Sequence, residues 1–98
     1  MRRAARVDDN QRAIIAALRQ MGCSVQPLSM VGDGCPDLVV GRGGVNWLLE
    51  VKDGDKSPSR TKKTEKQEHW HRNWFGQVAT VHDVDDAILV VNSKQRGI

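Results

Sequence analysis

The chain has only two cysteines, Cys23 and Cys35, and its apolar runs, such as Ala87 to Val91, are short. Two cysteines without a C-x-x-C spacing provide neither a disulfide framework nor a cysteine-pair metal site. They read as small apolar fillers in a reducing compartment. A membrane-spanning helix needs about 20 apolar residues, and nothing here approaches that. Met1-Arg2-Arg3 resembles the start of a signal peptide, but Asp8-Asp9-Asn10 arrives before any apolar stretch. No internal repeat is present. The glycine-rich segment Gly41-Arg42-Gly43-Gly44 lacks the Lys-Ser/Thr of a phosphate-binding loop, and its spacing suits a hairpin turn instead. These absences predict a cytoplasmic protein, neither secreted nor membrane-bound.

What is present is just enough for a core. Leu, Ile, Val and Phe account for 23 of 98 residues, slightly above the roughly 20% below which chains tend to stay disordered. One small domain over 1–98 is expected, and a domain of that size can depend on a ligand or a second copy for stability. The net charge of +3 is unevenly spread. Residues 1–22 hold five arginines against two aspartates, and residues 52–72 hold seven basic against four acidic side chains. Between them, residues 23–51 hold Arg42 against Asp33, Asp37 and Glu50. Such a pattern suits a polyanion approaching an acidic pocket, and equally suits ordinary solubility charge.

Ile14, Ala17, Leu18 and Met21 recur at helical spacing, so a helix is expected over 9–21, closed by Gly22. Cys23 to Leu28 reads as a short strand. Gly32-Asp33-Gly34-Cys35-Pro36 is loop chemistry. Asp37 to Val40 and Val45 to Lys52 then form a β-hairpin around the glycine-rich turn. The polar stretch 53–63 reads as a flexible basic loop, and residues 1–7 as a basic arm. Thr64-Glu65-Lys66-Gln67 fits a capping box opening a second helix. That helix would carry Gln67, Trp70, His71 and Trp74 on one face and stop at Gly76. Gln77 to Val81 is another strand, and Asp83-Val84-Asp85-Asp86 starts a helical turn. Ala87 to Val91 is apolar enough for a helix end or a last strand. The order α-β-β-β-α-β predicts a layered α/β domain.

Asp37 opens one hairpin strand, while Glu50 and Lys52 close the other. Alternate strand residues share a face, so Glu50 and Lys52 point one way and Trp47, Leu49 and Val51 the other. Two carboxylates on adjacent strands can converge on a hard cation, with the Val51 carbonyl as a third oxygen. An ammonium two residues beyond can polarise an attacking water or steady a phosphate oxygen. Leu48 and Leu49 imply a central strand and a partly buried Glu50, whose charge needs a partner or a metal. Taken singly, Asp37 is a turn residue after Pro36, and Glu50 with Lys52 a solvated edge pair. Their combination with the element order carries the functional reading.

Gly34-Cys35-Pro36-Asp37, with twelve residues before Glu50-Val51-Lys52, resembles the PD-(D/E)xK nuclease superfamily. The basic loop, Thr64-x-x-Gln67, Trp70, Trp74 and Gly76 resemble its small virus-type replication-repair (VRR-NUC) family, over about residues 7 to 87. The resemblance implies a restriction-endonuclease-like αβββαβ core, a mixed sheet flanked by helices. It further implies a DNA endonuclease dependent on Mg²⁺ or Mn²⁺ and acting on branched, junction-like DNA. Asp37, Glu50 and the Val51 carbonyl would hold the metal, Lys52 would stand at the attacking water, and Gln67 would lie beside them. Where the superfamily often has a glutamate on the first helix, the matching position here is Asn10, which can bind a metal-held water but not act as an anionic ligand. The alternative function is a DNA-binding module of the same fold without turnover, for example a phage accessory protein.

Arg2, Arg3, Arg6, Lys56, Arg60, Lys62, Lys63 and Lys66 would follow phosphates, reading DNA shape and not sequence. So short a chain contacts little duplex, so a homodimer is expected. Trp70 and Trp74 read as core packing and not as base-stacking platforms. His69, His71 and His82 lack zinc-site spacing and read as surface or supporting residues.

Overall fold

The computed structural model describes residues 9–53 and 62–93. Within them the order is α1 (Asp9–Gln20), β1 (Ser24–Pro27), β2 (Leu38–Arg42), β3 (Val45–Val51), α2 (Glu65–Arg72), β4 (Val78–Val81) and α3 (Val84–Asn92). The four strands form one sheet in the order β1-β2-β3-β4. β1, β2 and β3 run antiparallel, and β4 lies parallel to β3. A parallel neighbour requires a crossover, and the segment carrying α2 supplies it. This is the mixed, helix-flanked α/β architecture expected from the sequence.

The period of two along β3 sorts its side chains between two environments. Trp47, Leu49 and Val51 are buried against Ile14 and Leu18 of α1 and Ala87 and Val91 of α3. Full burial of a side chain such as Leu49 or Ile14 contributes about 1.5–3 kcal/mol, so this single layer holds most of the core. The opposite face carries Glu50 beneath α2, a helix with no fully buried residue. Among the described residues no helix is long and apolar enough to cross a membrane.

One open alternative is decided and two local expectations are corrected. Ala87 to Val91 is helical, because Asp83 caps α3 by accepting from the Asp86 amide at 2.8 Å. α2 ends at Arg72 and not at Gly76. Asn73 stops it, with both its backbone amide and its side-chain Nδ2 donating to the His69 carbonyl. Trp74 therefore lies beyond the helix. It stacks on Trp70, ring centroids 4.6 Å apart, and remains 44% exposed. The tryptophans pack on each other instead of filling the core.

Candidate active site

The site begins with a loop pressed against a helix. Gly34 has a left-handed backbone, φ +83°, and a Cβ there would run into the Lys66 carbonyl and the Gln67 amide. Glycine lets the loop touch the first turn of α2. That contact sets Pro36 and Asp37 beside Gln67. Asp37 lies one residue before β2. Its amide donates to the Leu49 carbonyl at 3.0 Å, and its Oδ2 accepts from the Val51 amide at 2.7 Å. Both bonds fix its carboxylate at the end of β3, next to Glu50.

Glu50 is a carboxylate only 1% exposed. Its Oε2 accepts from Gln67 Nε2 at 3.1 Å and lies 3.9 Å from Lys52 Nζ. Its Oε1 has no hydrogen-bond partner, and neither has the buried His71 Nε2 that faces it at 3.7 Å. Burial, then the charge and hydrogen bond of Asp37, push the Glu50 carboxyl up to about 8, against the opposing pull of Lys52 and Lys63. Burial also holds His71 below the usual imidazole value, with Lys63 and Lys52 adding to it. The Cys35 thiol is pushed up by burial and by the same two acids, consistent with an inert filler.

Gln67 performs two tasks. Its Oε1 accepts from the Thr64 amide at 2.9 Å while Thr64 Oγ1 accepts from the Gln67 amide at 3.2 Å, a complete capping box. The same Oε1 accepts from Lys52 Nζ at 2.8 Å, and Nε2 reaches Glu50. One side chain thus caps the start of a helix and joins an acid to an amine. Gln67→Ala is expected to lose about 1 kcal/mol from the cap and to release Lys52. Gln67→Glu is expected to keep the cap while failing to donate to Glu50. Thermal melts read the first effect, and comparison of the two variants in a cleavage assay separates it from the second.

The structure therefore brings Asp37, Glu50, Lys52 and Gln67 together. Val51 contributes its amide to Asp37. Asn10 stands nearby as a strut, its Nδ2 donating to the His82 carbonyl at 3.0 Å and the Lys52 carbonyl at 3.4 Å. The buried polar side chain of that first helical turn is Gln11, 6% exposed with an unpartnered Nε2. Sequence reading assigned Gln11 no role, although it lies on the stripe of Ile14 and Leu18. Lys63 is close enough for its charge to act on Glu50 and His71. Lys62 and Lys63 share a groove with His71, and Lys66 lines an adjoining hollow with Asp33 and Glu65; Glu68 and Arg72 border both. Arg2, Arg3, Arg6, Lys56 and Arg60 lie outside the described residues. His71, expected on the face of Gln67 as a surface or supporting residue, stands beside Glu50, 3.7 Å from its Oε1.

No group of three or more His, Cys, Asp or Glu side chains among the described residues is gathered to hold a metal. The donors at hand are two carboxylates and backbone oxygen. That set suits Mg²⁺, which keeps several waters and takes one or two carboxylates. The unpartnered Glu50 Oε1 and the upward push that burial and Asp37 give the Glu50 carboxyl both leave room for a positive charge.

The mixed sheet thus carries an acid pair and a lysine at the end of an interior strand. Among known proteins, no family model matches the chain, and no curated protein matches it. A solved structure described as a VRR_NUC domain is similar to it, at 25% identity and a TM-score of 0.63. The match covers 87% of this chain and 92% of that one. The resemblance to the VRR-NUC nuclease family, carried in the sequence by Pro36-Asp37, Glu50-Val51-Lys52 and Gln67, thus extends to the fold.

Proposed function

We propose that this domain is a divalent-metal-dependent endonuclease that hydrolyses phosphodiester bonds in DNA, with branched or distorted duplexes as substrates. The observation that carries the reading is the linked set Asp37, Glu50, Gln67 and Lys52, held by short hydrogen bonds around a buried carboxylate. Asp37, Glu50 and the Val51 carbonyl would hold Mg²⁺ or Mn²⁺, which when bound supplies Lewis-acid stabilisation of the charge developing on the phosphoryl oxygens. Lys52, steadied by Gln67, offers an ammonium donor to the attacking water or to a non-bridging oxygen. Gln67 bridges Glu50 and Lys52, whose own ion pair spans 3.9 Å. The low-dielectric setting of Glu50 strengthens each of these interactions.

The test is incubation of the pure protein with a four-way junction and a linear duplex in Mg²⁺, Mn²⁺ or EDTA. Cation-dependent nicking is expected, with the junction preferred. Loss of a single charge-stabilising group costs about 10²–10³ in rate, so Glu50→Ala and Lys52→Ala should each fall at least that far. Shifted bands with no cleavage under any cation would instead support a binding module without turnover.

A further inference from the structure

Beside the site runs a groove of ≈ 690 Å³ lined by Lys62, Lys63, Glu68, His71, Arg72, Thr80 and His82. One acid stands among three obligate cations, two histidines and a hydroxyl. Its position follows from strand register. Glu50 is paired with Thr80 and Val51 with Val81 across the parallel β3–β4 ladder, which sets Thr80 beside Glu50 and His82 beside Lys52. Asn10 supports the second pairing by donating to the carbonyls of both Lys52 and His82. The groove is therefore a parallel track one strand away from the acid and the amine, a separation of about 4.8 Å. His71 forms the wall between them, its Nε2 buried 3.7 Å from Glu50 Oε1.

His82 is also oriented. Asp86 Oδ2 lies 3.0 Å from its Nδ1 and accepts from its backbone amide at 2.9 Å. Asp86 is itself set by the N-terminal turn of α3, its amide donating to Asp83 at 2.8 Å. An imidazole held at Nδ1 by a carboxylate keeps Nε2 for an outside partner.

We propose that this groove binds the sugar-phosphate backbone of the DNA strand being cut, next to the scissile phosphate. Lys63 and Arg72 neutralise phosphates there, and His82, positioned by Asp86, contacts a further phosphate oxygen. The assignment rests on the nuclease reading above and adds where the strand lies. It differs from a general surface attraction because Lys63 and His82 line this groove alone, whereas Lys66 lines only the adjoining hollow with which the groove shares Glu68 and Arg72.

Binding of fluorescently labelled single-stranded and duplex DNA, measured in EDTA over a range of salt, tests it. Each lost phosphate contact on duplex lowers the slope of log K against log salt by about 0.9. Lys63→Gln should show that loss and Lys63→Gln with Arg72→Gln about twice it, alike on different sequences. His82→Gln should weaken binding severalfold with an unchanged slope, and Asp86→Asn should reproduce part of that. Lys66→Gln should leave both quantities as in the wild type. Equal losses from Lys66→Gln and Lys63→Gln, with melts confirming folding, would overturn the groove and leave the nuclease reading standing. A wild-type protein that binds no DNA would overturn both.

Discussion

Glu50→Gln is expected to make the metal-free protein more stable at alkaline pH while abolishing cleavage. Glu50 carries a carboxyl displaced from 4.5 to about 8 by burial and by Asp37. The folded state therefore holds a proton that the unfolded chain releases above pH 4.5. The associated stability is complete below that pH and is lost as pH rises through about 8. One pKa unit corresponds to about 1.4 kcal/mol, so the loss amounts to a few kcal/mol. In a domain of this size each kcal/mol moves the melting temperature by about 4–8 °C. Melts in EDTA between pH 5 and pH 9 should show wild-type Tm falling by on the order of 10 °C relative to Glu50→Gln. Addition of Mg²⁺ or Mn²⁺ should recover the wild type most at pH 9 and the variant hardly at all. Parallel pH profiles for the two proteins would disprove the account of Glu50 as a strained buried acid.

Gly34→Ala is expected to damage the protein twice. A left-handed φ costs a residue with a Cβ about 1 kcal/mol. The larger effect is steric, since the added methyl meets the backbone carbonyl of Lys66, which cannot rotate away as a side chain would. Either the loop or α2 must shift, separating Asp37 from Gln67. Misplacement of about 1 Å in such a site can lower the rate 10²-fold. Comparison with Gly44→Ala, also at positive φ but with open space around it, isolates the contact from the backbone strain. Comparable cleavage by the two variants would show that the loop does not set the site.

Much of this site was legible in the sequence because β-structure alternates. Once Leu48 and Leu49 mark a central strand, Glu50 and Lys52 must share a face, and the core residues Trp47, Leu49 and Val51 must take the other. Capping chemistry is equally local, so Thr64 and Gln67 could be recognised, although whether Gln67 belonged to the helix or to the site could not be separated; it belongs to both. What failed to show was decided elsewhere. Asn73 outcompeted Gly76 as the end of α2 through a side-chain bond to the His69 carbonyl, and sequence spacing does not weigh two stop signals against each other. The alignment of Thr80 and His82 beside Glu50 and Lys52 depends on a parallel register between segments about thirty residues apart, which no local pattern encodes. Asn10 holds strand ends together for the same long-range reason.

α2 is only eight residues long with no side chain fully buried, so alone in water it would be a poor helix. Its first turn survives through the glutamine that also tethers the lysine. Readiness for chemistry and the winding of this one turn are consequently a single event. Amide-exchange protection at Gln67 and Glu68 should rise and fall with occupancy of the acid pair, making the helix itself a reporter of the loaded state.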